Sequence, residues 1–489
     1  MTTPMRLKPT AVLFGACLFV TTGPVWAGDK ENALIDKVVA TYGGDKLLNL
    51  KSFVVVDKYN SFRYGQSQSP DEVDLHAGHS SVTVDLVNKR KNFRWVLGSK
   101  EDFRTQHQLF DGKTGYSIKH TERTLTENAG MTYSSVDRRH MFYLDTALVL
   151  MLNDNRLSAS YEGEQSYQGT MHDLIKFKAE GNPEMTLFVN RENGRVGKMQ
   201  RDYWAGGYFN YSFSDYEKKQ GILYAANNYV TRAGQPYNVS VSRKIEFNKD
   251  VSNEFNKPKG YGSPGGKSLD FSKMSTTKLA DNLYLVGYDW GFSIFYYTGE
   301  YFIGAGGYKE LTQRFEAVKA FVGVDKPLKY QVVSHHHNDH LGGMKEAFDL
   351  GVTFIVAKDN IADVRRMAKV DIPDNRFIIV DGQGTYADGA LKVLDFPNGH
   401  ATHNLMSYFP SAKTLFSADM FGSRQASGVD NGGESNKKLR SALKQAGFKV
   451  EHFAAAHSGR VLTAADLDKS TGPVIDEICP ADWAICEGR

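Results

Sequence analysis

The sequence predicts two domains of different class: a mainly antiparallel, β-rich domain over residues 28–255 and an α/β domain over residues 276–470. Three observations predict it. The chain has 489 residues, more than one hydrophobic core ordinarily organises. Short alternating apolar segments divided by turn pairs fill the first half, whereas strand-like and helix-like segments take turns in the second. Between them, residues 256–267 (NKPKGYGSPGGK) carry Gly and Pro with almost no apolar content, so residues 256–275 read as a linker.

The first 27 residues stand apart from both domains. Arg6 and Lys8 precede an apolar stretch over residues 10–23, and Val25-Trp26-Ala27 offers small residues at the two positions a signal peptidase reads. This layout predicts a secretory signal peptide cleaved after Ala27, and a mature protein that is periplasmic or secreted. A membrane anchor needs roughly 20 apolar residues, and this run is shorter. Cys17 as a lipidated cysteine fits poorly, because apolar residues follow it where mature polar sequence should begin.

In the mature chain, Leu34, Ile35, Val38, Val39 and Tyr42 recur at helical spacing over residues 31–42, and Gly43-Gly44 supplies a left-handed cap. Alternating segments at 53–57, 81–85, 187–190 and 208–213 follow, divided by Asp111-Gly112, Asn193-Gly194 and Ala205-Gly206-Gly207. That is the pattern of an antiparallel meander. Residues 145–152 are the clear helical candidate inside it, so a helix laid against a curved antiparallel sheet is expected. Past the linker, residues 283–286, 292–297, 330–334, 353–357, 392–396, 405–409 and 414–417 read as strands. Residues 311–321, 343–350, 360–368 and 437–446 read as helices covering the sheets. In the tail over residues 471–489, Cys479 and Cys486 are expected to pair as a disulfide, as exported cysteines do, rather than to bind metal.

Composition narrows the function. Hydrophobic content of 41% and charged content of 24% describe a globular protein. A net charge of +3, with no basic run interleaved with aromatics, argues against nucleic acid as a partner. No segment reads as a stable membrane span.

One run carries the chemistry: Ser334-His335-His336-His337-Asn338-Asp339-His340-Leu341-Gly342-Gly343, between a predicted strand and a predicted helix. His335 and His337, two apart on extended backbone, project to one side and can chelate one ion. Asp339 and His340, at the turn into the helix, can reach a second ion beside it. Imidazole and carboxylate are ligand types that zinc accepts. A surface histidine cluster is the bland alternative, and four adjacent ligands argue against it. Alternation turns His336 and Asn338 away from the ions, toward hydrogen-bonding or rim roles.

The run resembles the His-x-His-x-Asp-His-x-Gly-Gly signature of the metallo-β-lactamase superfamily. The resemblance extends over roughly residues 279–466, through Gly399-His400, Leu415-Phe416-Ser417-Ala418-Asp419 and Ala456-His457-Ser458-Gly459. It implies an αββα sandwich for the C-terminal domain and a dinuclear metal centre. His335, His337 and His400 would hold one zinc, Asp339, His340 and His457 the other, and Asp419 would bridge. The two cations would be zinc, with iron or manganese as alternatives, and would share a hydroxide that attacks the substrate. Asp339 would orient that nucleophile or relay its proton. Three departures stand out. Ile303-Gly304-Ala305-Gly306 lacks an acid that usually supports a ligand, so that support must come from elsewhere. Ala456-His457-Ser458 replaces Gly-His-Gly. His403 stands where relatives carry Asp or another small polar residue; with Asn404 it is a candidate for touching substrate or for supporting a ligand. His76 and His79 read as loop residues, and His452 as a packed strand residue.

An acidic bridge at Asp419 resembles thioester, lactone, phosphodiester and sulfate-ester hydrolases rather than β-lactamases, which mostly use Cys there or lack a bridging acid. An exported enzyme argues against a cytosolic thioester task. The expectation is hydrolysis of a lactone or carboxylic ester, with phosphodiester or sulfate-ester cleavage second and β-lactamase activity behind both. A non-catalytic periplasmic binding protein with a decayed metal domain is the alternative from another class, and seven competent ligand positions argue against it. The aromatic-rich meander resembles the half-barrels of periplasmic lipoprotein carriers in texture, which implies that it cradles a small, apolar substrate or walls one side of the active site.

Overall fold

A computed structural model describes residues 28–98, 103–263, 273–425, 428–429, 432–472, 479–480 and 483–486. The expected signal peptide over residues 1–27 lies outside the described residues, as does part of the expected linker, residues 264–272. Among the described residues no helix is long and apolar enough to cross a membrane.

The first half builds one 13-stranded sheet. Two meanders meet where the strand Ser52–Phe62 pairs antiparallel with the strand Gln235–Phe247. The helices Asp29–Tyr42 and Asp145–Asp154 lie on one face. Their Leu34, Ile35, Val38, Leu148, Val149 and Leu152 pack on inward strand residues such as Phe53, Val55, Val84, Ile175 and Leu187. Alternation explains this: in the strand at Phe53, odd positions face the helices and even ones the far side. Tyr42 closes the contact by donating its hydroxyl to Asp145 Oδ2 at 2.7 Å, while Asp145 Oδ1 accepts the Ala225 amide at 3.0 Å.

His76 and His79 lie on the strand Leu75–Asp85, not in a loop. The glycine between them, Gly78, reads as a turn in sequence. It sits opposite Tyr59, whose ring occupies the space a Cβ would need, so the glycine continues the ladder under an aromatic cover. The start of the expected linker is also bound. Gly262 exchanges backbone hydrogen bonds with Arg123 and Leu125, and Lys257 Nζ donates to Tyr116 Oη at 2.6 Å.

Within this domain Lys91 and Asp137 form an ion pair at 3.0 Å with both side chains essentially unexposed. Removing one partner of such a pair strands a buried charge, so Asp137→Ala is expected to cost about 3–5 kcal/mol. Urea denaturation measures it. The double replacement Lys91→Met with Asp137→Leu should recover most of the loss, because neither charge is then left alone.

The second half holds a seven-stranded and a six-stranded sheet. Leu283, Leu285, Ile294, Ile303, Val332 and Ile355 of the first share a core with Leu391, Val393, Leu405, Phe409, Phe416 and Ala454 of the second. The helices Leu311–Val322, Met344–Asp349 and Ile361–Ala368 cover the outer face of the larger sheet. The helices Gly433–Gln445 and Ala464–Lys469 cover that of the smaller. His452 begins the strand His452–Ala455 and is exposed, not packed as expected, because the alternating core positions start one residue later. The tail then returns to the first domain. Cys479 and Cys486 are bonded, and Trp483 and Ile485 pack with Val96 and Val56 on the face opposite the helices. The Ile485 carbonyl is 2.9 Å from His79 Nδ1.

Candidate metal centre

Direction of the strands gathers the donors. In the six-stranded sheet, Leu391–Asp395 and Thr414–Phe416 are each antiparallel to the strand between them, and Thr414–Phe416 is parallel to His452–Ala455. Their C-terminal ends therefore lie along one edge, and the segments leaving them carry His400, Asp419 and His457. The strand Leu328–Val332 of the other sheet delivers the run His335 to His340 to the same place. Ala418 adopts φ +51, a left-handed conformation uncommon for a residue with a side chain, as the chain turns to present Asp419.

Two groups of donors result. One ligand atom from each of His335, His337, His400 and Asp419 lies within 4.8 Å of the others, and Asp339, His340 and His457 form a second group by the same measure. Asp419 faces both. Its Oδ2 is 3.2 Å from His400 Nε2 and 4.0 Å from His335 Nε2, while its Oδ1 is 3.1 Å from His340 Nε2 and 3.2 Å from His457 Nε2. All seven residues singled out in sequence as ligands are thus brought together.

The electrostatics suit cations. Burial, helped by neighbouring imidazoles, holds His335 well below the usual histidine range and pushes His337 down to about 3, so both offer lone pairs. Burial alone would raise the Asp419 and Asp339 carboxyls, but His340 and the other imidazoles outweigh it and hold both well below the usual range. His335 Nε2 and His400 Nε2 face each other at 3.3 Å, an opposition of nitrogens that a shared cation relieves. His337 Nδ1 is buried without a hydrogen-bond partner, an orphaned lone pair that a metal ion would satisfy. These residues fit two metal ions.

Support for the donors comes from backbone carbonyls and from the other half of the chain. The loop over residues 63–74, between two N-terminal strands, reaches into the centre. The Ser67 carbonyl accepts from His337 Nε2 and His336 Nε2, each at 2.9 Å. That fixes the tautomer of His337 and leaves its Nδ1 for an ion. Gln66 Nε2 donates to Asp339 Oδ1 at 2.9 Å, and the Asn338 amide donates to the Gly65 carbonyl at 3.1 Å. His457 Nδ1 donates to the Trp290 carbonyl at 2.7 Å. Asp289 and Trp290 both have positive φ, as a tight turn of this hand requires, though the sequence lacks the Asn-Gly that usually announces one. Gln66, Ser67, Trp290 and the buried Tyr308 were not legible as site residues. Only Tyr308, directly after Gly306-Gly307 at a strand end, had a local signal.

His403 and Asn404 do not join the donors. His403 is held by Asp395 Oδ2 at 2.6 Å and Asp359 Oδ2 at 3.3 Å. Asn404 is fully buried, and its side chain has no hydrogen-bond partner among the described residues.

Burial pulls the His457 imidazole down, but Asp339 and Asp419 raise it to about 10. Its proton stabilises the metal-free fold fully below the ordinary histidine value, and that contribution is lost as pH rises through about 10. An entering ion must displace this proton. Zinc affinity is therefore expected to rise about tenfold per pH unit across the neutral range, measured by chelator competition, and to flatten in His457→Ala.

No family model matches the chain. Solved structures are similar to it over about two fifths of its length. A metallo-beta-lactamase from Pontibacter korlensis is 19% identical, with 41% of this chain and 97% of that chain covered at a TM-score of 0.33. One from Hirschia baltica is 17% identical, with 40% and 96% covered at 0.32. One from Pseudomonas aeruginosa, in a mono-zinc form, is 13% identical, with 40% and 93% covered at 0.33.

Proposed function

We propose that the protein is an exported hydrolase with two zinc ions, acting on a lactone or carboxylic ester, its C-terminal domain an αββα sandwich of the metallo-β-lactamase kind. The observation that carries this reading is Asp419, one carboxylate oxygen toward each donor group. Ions held there would supply Lewis acidity and an activated water. The chain's own residues do the rest. His335, His337 and His400 hold one ion; Asp339, His340 and His457 hold the other. Gln66 ties Asp339 Oδ1, which leaves Oδ2 turned toward His457 at 3.4 Å, where it can orient the nucleophile or take its proton. Trp290, 67% exposed on the turn that holds His457, offers an apolar wall for an acyl group. A groove of about 680 Å³ lined by Asp202, Trp204, Tyr208 and Lys369 runs past Gly342, beside the donor run, and offers a substrate both apolar and polar walls.

The test is a hydrolysis panel of lactones, aryl esters, phosphodiesters, sulfate esters and a chromogenic cephalosporin. Chelator-sensitive turnover of lactones or aryl esters, restored by zinc, is expected. Efficient cephalosporin hydrolysis without esterase activity would overturn the reading. Phosphodiester or sulfate-ester turnover alone would replace the substrate class and leave the centre intact.

A further inference from the structure

Tyr308 is a buried polar group at the centre to which no task has been assigned. It follows the strand Phe302–Ala305 through Gly306-Gly307, where φ +79 at Gly306 and the close approach of Met344 and the His340 carbonyl to Gly307 leave no room for a side chain. This turn carries the tyrosine ring inward, to 4% exposure. Behind it stands Arg314, whose guanidinium donates to the Tyr288, Gly291 and Lys309 carbonyls and lies 5.5 Å from the ring centroid.

The hydroxyl is 3.3 Å from His340 Nε2 and 3.2 Å from His457 Nε2. Those nitrogens also face Asp419 Oδ1 at 3.1 and 3.2 Å, and Asp339 Oδ2 at 3.8 and 3.4 Å. Five donor atoms therefore border one small volume. Donors about 2.0–2.2 Å from a single ion stand roughly 3–3.7 Å from one another, and five of these six separations fall there, with His340 to Asp339 just outside at 3.8 Å. The two nitrogens cannot serve both the phenol and an ion. Once an ion occupies the two nitrogens, neither keeps a lone pair or a proton for the hydroxyl, and a buried hydroxyl left unpaired is costly. Asp419 Oδ1 and Asp339 Oδ2 border the same volume, so an ion held by them and the two nitrogens would have the phenol oxygen against it as well.

We propose that Tyr308 is a protein ligand of the second metal ion, bound through its phenol oxygen with the proton released to solvent. This rests on the metal-dependent reading above and makes the two sites unlike. The first offers three imidazoles and one carboxylate oxygen, a set suited to zinc. The second offers two imidazoles, two carboxylates and a phenolate, a harder, oxygen-rich set suited to ferric iron.

The experiment uses metal-stripped full-length protein loaded with ferric citrate or with zinc, with ions per chain counted by mass spectrometry. Ferric loading is expected to produce a broad visible phenolate-to-iron charge-transfer band with phenolate modes in resonance Raman. Tyr308→Phe, which keeps the ring and its packing, should lose the band, retain the first ion and bind the second at least about tenfold more weakly. Tyr301→Phe, away from the donors, should keep the band. Ferric uptake without the band, a band that survives in Tyr308→Phe, or uptake of zinc but not ferric iron would overturn this inference alone. Failure to take up any ion would overturn it together with the metal-dependent reading.

Discussion

Asp419→Ala is expected to lower metal content from about two ions per chain to one or fewer, and to reduce hydrolysis on the order of a thousandfold or more. The carboxylate stands between the two donor groups, with four imidazole nitrogens within 4.0 Å of its oxygens. Without it those nitrogens surround a buried space from which the shared negative charge is gone. His457→Ala should be narrower in effect, costing the second ion and turnover but sparing the first. His76→Ala and His79→Ala should stay within a few-fold of the parent, since both sit on the first domain's sheet. Metal analysis and steady-state kinetics on the four variants check this. Two ions and undiminished turnover in Asp419→Ala would remove the bridge from the account.

Gly65→Ala and Gln66→Ala should each weaken metal binding by about 10–100-fold, although neither residue is a ligand. Gly65 has φ +64, and a Cβ there would overlap the Asn338 side-chain carboxamide, so alanine is strained and either that side chain or the loop must give way. Movement of the loop would take the Ser67 carbonyl from His337 and His336. Gln66→Ala removes the donor that holds Asp339 Oδ1. Chelator competition gives the affinities, and the urea midpoint should move little, since the loop adds nothing to the sheet's core. Unchanged affinity in both variants would show that the first domain merely sits beside the centre.

Local pattern made most of the second domain legible. The strands Thr353–Ala357 and Leu405–Phe409 have the bounds that their apolar runs predict, and the helix Leu311–Val322 differs from expectation by one residue. The seven donors were legible because metal ligands must be chemically specific and, here, mostly adjacent. What stayed hidden is long-range. Ser67 and Gln66 act on residues some 270 positions away, through a carbonyl that any amino acid could supply and an ordinary amide. Strand length in the first domain was also hidden. The strand Leu75–Asp85 runs through His76 and Gly78, whose strand character depends on Tyr59 across the ladder rather than on their own propensity.

The chain crosses between its two halves twice. It leaves the first after residue 263, and its tail comes back to seat Trp483 edge-on against His107 and His120, with ring centroids 5.3 and 5.0 Å away. A single connector would let one body swivel about the other. The seat of Trp483 and Ile485 and the loop over residues 63–74 tie the halves at two separate places, which opposes that motion. The local concentration of Ser67 at His337 is then set by the architecture rather than by chance encounter. With the chain opened between Ser263 and Lys273, Trp483 and Ile485 would still be seated on the sheet, so the centre is expected to keep its metal, as ion content before and after nicking would measure.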